Sequence, residues 1–245
     1  MTDNLDSIEI INSENETNQA DDLILINHAV MLKEIRSWGL WSLGLGAAHI
    51  LTSGFLSAPW GILLLIVGLA SFYFQTASMF VVYATTLAWA ALSNFAGFQI
   101  GWAVFAVFQL VLSFNVFKQY RRFRNVETEY IKTITENSAL DNSPLKRASF
   151  IFPWTGTIIG CSSIVGMFFI FLYVAWVVIS GNSTDASHIP VPNYIAFIKN
   201  LLVNFGIISF ALGLASLLSQ YRSKALAIIA MIAGIVTVVI DIFFF

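Results

Sequence analysis

The stretch GTIIGCSSIVGMFFIFLYVAWVVIS, residues 156–180, decides the fold class: 25 consecutive residues carry no charge and show no alternation of period two. At 1.5 Å rise per residue, about 20 apolar residues cross the roughly 30 Å hydrocarbon layer of a bilayer as a helix. Lipid offers backbone groups no hydrogen-bond partner, so a spanning element is a helix or part of a closed barrel, and an unalternating run is a helix. Working outward, comparable runs place helices over residues 37–56, 59–74, 77–95, 98–118, 156–180, 194–218 and 225–245. The expected fold is all-α, a polytopic integral membrane helical bundle with seven transmembrane helices. Composition agrees, since 58% hydrophobic and 11% charged residues lie outside the range of soluble domains.

The basic residues orient this bundle. Eleven of the twelve Lys and Arg fall in three groups: Lys33 and Arg36; Lys118, Arg121, Arg122, Arg124, Lys132, Lys146 and Arg147; Arg222 and Lys224. Cytoplasmic loops carry such an excess, so all three groups are placed inside. Seven crossings then put the N-terminus in the cytoplasm and the C-terminus outside, in a plasma (inner) membrane. Tryptophans favour membrane interfaces, and in this scheme Trp38, Trp41 and Trp154 fall at the inner boundary and Trp60, Trp89, Trp102 and Trp176 near the outer one. Helix two is short: about 16 residues give only about 24 Å. A re-entrant hairpin of helices two and three is the alternative, leaving the side of every basic group unchanged.

Four regions follow. Residues 1–36 are acidic, read as a disordered tail to about Gln19 and then an interfacial helix capped by Asp21 and Asp22, with Leu23, Ile24, Ile26, Val30, Met31 and Ile35 forming its apolar face. Residues 37–118 form a four-helix unit whose short connections are expected to make consecutive helices antiparallel neighbours. Residues 119–155 form a basic amphipathic cytoplasmic loop. In it Tyr120, Phe123, Tyr130, Ile131 and Ile134 recur at helical spacing beside Arg121, Arg122, Arg124 and Lys132, a pattern suited to lying on anionic lipid headgroups. Docking of a cytoplasmic partner is the competing reading. Residues 156–245 form a three-helix unit.

Small residues four apart recur in the spans: Ser42 and Gly46, Gly97 and Gly101, Gly156 and Gly160, Ser162 and Gly166, Ser209 and Gly213, Ala230 and Gly234. Such positions let helix backbones approach, and they are expected to pack the bundle internally, with a homo-oligomer interface as the rival.

Polar groups in hydrocarbon cost free energy unless partnered. His49, Asn94, Gln99, Lys199, Asn200, Asn204 and Asp241 all map to the outer half of their spans, and Gln109 extends the set toward the middle. Lys199 and Asp241 lie at equal depth on consecutive antiparallel helices, which predicts an ion pair. The set suggests an outward-facing polar pocket; helix capping, snorkelling and interhelical hydrogen bonds are the plainer explanation. His49 stands alone in the membrane, which argues against bis-histidine haem and favours a packing role.

No cofactor or metal is expected. The lone Cys161 has no partner for a disulfide or metal site. Gly160-Cys-Ser162-Ser163 is not a nucleophile elbow, no carboxylate pair lies in a span, and phosphate-loop, dinucleotide and His-Glu-x-x-His motifs are missing. The last helix, residues 225–245, has no lysine to carry retinal. A net charge of −2 with basic residues confined to span ends excludes a nucleic-acid surface. The first expectation is therefore a non-catalytic membrane protein, a scaffold, sensor or accessory subunit with a membrane-protein partner. The alternative is a transporter or channel for a small solute or ion using the polar pocket.

Overall fold

The computed structural model describes the backbone of residues 3–53, 59–96, 100–136, 144–180, 193–219 and 223–244. Side chains are described there except at 3–21, 52–53, 93–96, 100–103, 105, 132–136, 144–147, 149, 193 and 244. Seven helices and, among the described residues, no strands make up the chain: α1 (Asp3–Ser53), α2 (Pro59–Tyr73), α3 (Ser78–Ala96), α4 (Ile100–Glu136), α5 (Pro144–Ser180), α6 (Asn193–Leu218) and α7 (Lys224–Phe244). The fold is all-α.

Among the described residues, three helical stretches, Phe150–Ser180, Tyr194–Leu218 and Lys224–Phe243, are long and apolar enough to cross a membrane, where seven were expected along the chain. Helix α2 is short, at 15 residues, and in α1 and α4 an apolar segment is continuous with a charged extension.

Those extensions correct two expectations. Helix α1 runs unbroken from Asp3, so the N-terminal segment is helical rather than disordered, and Asp21 and Asp22 sit mid-helix instead of capping. Acidic residues near a helix start suit its dipole, and Leu5, Ile8, Ile10 and Ile11 are the apolar residues of this mostly polar stretch. Helix α4 continues 37 residues to Glu136, about 55 Å. The two extensions pack together: His28 stacks on Tyr130 at 3.6 Å between ring centroids, and Trp38 Nε1 donates to Gln119 Oε1 at 3.0 Å. Ten residues forward on α1 match eleven backward on α4, an antiparallel register. Tyr120 and Phe123, expected to face lipid headgroups, are instead buried in the core at 3% exposure, Phe123 stacked on Phe80. Met31 and Ile35 are buried, while Leu23, Ile26 and Val30 of the expected apolar face are exposed.

The end of the bundle bearing Lys118, Arg121, Arg122, Arg124 and Lys224 is called the basic end below, and the opposite one the far end. At the basic end Lys224 donates to the carbonyls of Ser216 (3.1 Å), Leu217 (2.9 Å) and Ser219, capping α6 with a cation where its dipole is negative. Tyr120 Oη donates to Leu218 O at 2.9 Å, and the hydroxyls of Ser78 and Ser219 meet at 2.6 Å, so α3, α4 and α6 are tied together there. The main core, including Phe80, Val116, Phe152 and Ala211, fills this half.

Helices α5, α6 and α7 pack as one three-helix unit, α1 pairs with α2, and α3 pairs with α4 and leans on α6. Helices α2 and α3 scarcely touch, although only residues 74–77 connect them, which overturns the expectation that short connections force neighbouring packing. Each finds a better partner elsewhere. Gly46 of α1 and Gly61 of α2 face each other so closely that a Cβ on either would lie 2.7–2.9 Å from the other's carbonyl oxygen. Ser42 Oγ also donates across this contact to Leu64 O at 2.8 Å.

The other described small-residue positions are likewise largely internal. Ser209 Oγ lies 2.7 Å from the carbonyl oxygens of both Gly156 and Ala230, bridging α5, α6 and α7. Ser162, by contrast, is exposed, and Gly97 lies outside the described residues, as does the side-chain environment of Gly101. A Cβ on Gly213 would sit 2.6 Å from Ala227 O and 2.9 Å from Met231 N, both backbone atoms of α7 that cannot rotate away. Gly213→Ala is therefore expected to destabilise by about 2 kcal/mol, an overpacking cost, as read by thermal unfolding in detergent. Unchanged stability would show that the α6–α7 contact is looser than described.

Candidate functional site

The gap between α2 and α3 is not filled by core. At the far end it opens into a cavity of about 500 Å³, within the range of small-molecule sites. Six helices contribute: Leu45 and His49 from α1; Pro59, Trp60 and Leu64 from α2; Leu87, Trp89 and Ala90 from α3; Gln109 from α4; Asn200, Val203 and Asn204 from α6; Asp241 from α7. The wall is mostly apolar, with polar groups at a few points.

Each polar side chain is delivered by the apolar segment of its helix, seated by close contacts of small residues. The Gly46–Gly61 contact seats α1 against α2 and places His49 one turn beyond it. On α6, Ser209 fixes the helix against α5 and α7. Asn204 and Asn200 follow on successive turns toward the far end. The close approach of Gly206 and Gly234 then brings the last turns of α7 beside the first turns of α6. As a result Lys199 Nζ lies 3.0 Å from Asp241 Oδ1. The two side chains are 24% and 26% exposed. Oδ1 itself is buried, and the ammonium approaches it outside hydrogen-bonding angles, so the contact is an ion pair without an aligned hydrogen bond.

Of the residues singled out from the sequence, His49, Gln109, Asn200, Asn204 and Asp241 line this one cavity, and Lys199 reaches Asp241 without lining it. Gln109 and Asn204 are buried. Gln99 lies outside the described residues, and so does the side chain of Asn94. Sequence reasoning passed over Trp60 and Trp89 as site residues because an indole near a helix end is read as an interface anchor. Their positions on the two helices that diverge were the missing information. Among the described residues no group of three or more His, Cys, Asp and Glu is arranged to hold a metal.

A second polar feature also escaped the sequence reading. Glu127 of α4 is 7% exposed, and its Oε1 accepts the Ala77 N–H at 3.0 Å, capping the start of α3. Burial pushes its carboxyl up to about 7, against the smaller opposing effect of the Ala77 hydrogen bond. The signal was present: Glu127 falls on the same helical stripe as Tyr120, Phe123 and Tyr130, four residues after Phe123 and three before Tyr130.

No protein-family model, curated protein or solved structure matches this chain.

Proposed function

We propose that the chain is a non-catalytic multi-span membrane protein of the carrier type, taking a small solute into the far-end cavity. The observation that carries this reading is the convergence of His49, Gln109, Asn200, Asn204 and Asp241, from the apolar segments of four helices, on one cavity. Isolated polar groups in hydrocarbon are costly, and their gathering around a common space fits a solute route better than scattered helix capping.

Lipid as the surrounding medium is supported by α5, where Trp154, Ile158, Val165, Phe168, Phe169 and Trp176 are all exposed. Soluble monomers rarely show so continuous an apolar face. In this reading all seven helices lie in the membrane, with α2 and α3 spanning a thinned region around the cavity. The basic end faces the cytoplasm by the distribution of Lys and Arg. Exposed Lys118, Arg121, Arg122 and Arg124 are assigned to anionic headgroups. The α5 face would also suit a membrane-protein partner or a second copy, which keeps an accessory-subunit role as the second reading.

Ala90 is 5% exposed on the cavity wall, so Ala90→Trp fills the space without touching a polar group. In a thermal-shift panel of amines, amino acids, sugars and neutral alcohols, at least one class should raise the unfolding midpoint of the wild type by roughly 5 °C at saturation. Ala90→Trp should lose that response. Equal responses in both proteins, or none in either, would contradict a solute site.

A further inference from the structure

The chemistry of the cavity narrows its occupant, and this step rests on the solute-binding reading above. Among the described lining residues there is one acid, Asp241, and no Lys or Arg. An anionic solute would meet a carboxylate with no lysine or arginine on the wall to compensate it. Two indoles, Trp60 and Trp89, line it as well, and the quadrupole of an indole ring attracts cations.

Lys199 shows what Asp241 accepts. It is a tethered primary alkylammonium, and it reaches the carboxylate from outside the cavity. Lys199 approaches the buried Oδ1, so the 26% exposure of the Asp241 side chain belongs to its remaining atoms, and acceptor capacity for a second ammonium lies there on the cavity wall. Amide oxygens of Gln109, Asn200 and Asn204 are further acceptors on the same wall for the N–H groups an ammonium carries.

We propose that the cavity binds an organic primary amine in its protonated form. Its ammonium docks on Asp241 in competition with Lys199, and its apolar body lies against Trp60, Trp89 and the leucines of the wall. Lys199 is then a built-in competitor: it neutralises Asp241 when the cavity is empty and yields the carboxylate when a free amine arrives. The exchange involves no covalent step, only one ammonium replacing another.

Three probes of one shape test this: 2-phenylethylammonium, neutral 2-phenylethanol and phenylacetate, titrated by calorimetry onto the purified full chain near neutral pH. The wild type should bind the amine at least about tenfold more tightly than the alcohol, and phenylacetate least. In Lys199→Met the preference for amine should widen by about a further tenfold, since the internal competitor is gone. Lys199→Met with Asp241→Asn removes both charges and leaves no buried charge unpaired; there the preference for amine over alcohol should vanish while alcohol binding persists. An amine preference that survives the double substitution, or a preference for alcohol or phenylacetate in the wild type, overturns the proposal while leaving a solute site intact. Failure of all three probes overturns it too, and if no compound distinguishes the wild type from Ala90→Trp, the solute-binding reading falls with it.

Discussion

Lys199→Ala is expected to lower the unfolding free energy by about 3 kcal/mol, because it strands the Asp241 carboxylate at the far end of α7 with no cation beside it. An exposed ion pair would contribute at most about 1 kcal/mol. Here the two side chains are only 24% and 26% exposed, and Oδ1 is buried. That geometry puts the loss at the lower edge of the range for a broken buried pair. The net value of the pair is much smaller than the cost of halving it. Two compensating variants should therefore recover most of the loss: the exchange Lys199→Asp with Asp241→Lys, and the apolar pair Lys199→Met with Asp241→Leu. Thermal or denaturant unfolding in detergent closes the double-mutant cycle. A Lys199→Ala protein within about 0.5 kcal/mol of the wild type would show that the pair is solvated and bears no load.

A comparable effect is expected at the opposite end, as a dependence on pH. The carboxyl of Glu127 is raised from 4.5 to about 7, so the folded chain holds its proton more tightly than the unfolded chain does. Stability from this group is fully present below about pH 4.5 and is lost as pH rises toward 7, with a total on the order of 3 kcal/mol. Histidines titrate in the same window. Burial lowers the pKa of His28, whose contribution therefore has the opposite sign and grows as pH rises. The difference between the wild type and Glu127→Gln isolates the carboxyl: the variant should match the wild type at acid pH and exceed it above neutrality. Parallel pH profiles would show that Glu127 remains solvated. The Ala77 N–H and the positive end of α3 keep the charged form from being expelled, so a charge-dependent loosening of the α2–α3 turn, rather than unfolding, is the expected local response.

Much of this architecture is legible in the sequence for simple reasons. Uncharged runs mark helix cores, and the bounds expected for α2, α3, α6 and α7 fall within one residue of those observed. The approach of Lys199 to Asp241 follows from counting residues along two consecutive antiparallel helices, since the start of one and the end of the other share a level. Gly156, Gly160, Ser209 and Gly213 were readable as contact positions because close backbone approach admits few other residues.

What was not legible depends on choices among partners. A four-residue connection between α2 and α3 permits neighbouring packing but does not compel it, and the Gly46–Gly61 contact draws α2 to α1 instead. The cavity exists because of that choice, and no local pattern encodes it. Tyr120 and Phe123 have the composition of a headgroup-contacting helix; only their tertiary partners, Leu218 of α6 and Phe80 of α3, turn them inward. Glu127 was overlooked because an acid in a basic segment reads as solvated until its stripe is known to be buried. The polar segment near the N-terminus carries too little apolar surface to predict a helix by burial, yet it continues the helix that α1 has already nucleated.

As a solute site in a lipid-embedded bundle, the far-end cavity is expected to be water-filled and open on the side away from the basic end. Asn200 is exposed and lines it, so Asn200→Cys in a Cys161→Ser background reports on it directly. A membrane-impermeant maleimide applied to sealed cells should label this thiol from outside, and adding Ala90→Trp should suppress the labelling. Labelling from the cytoplasmic side alone, or from neither side, would contradict the account.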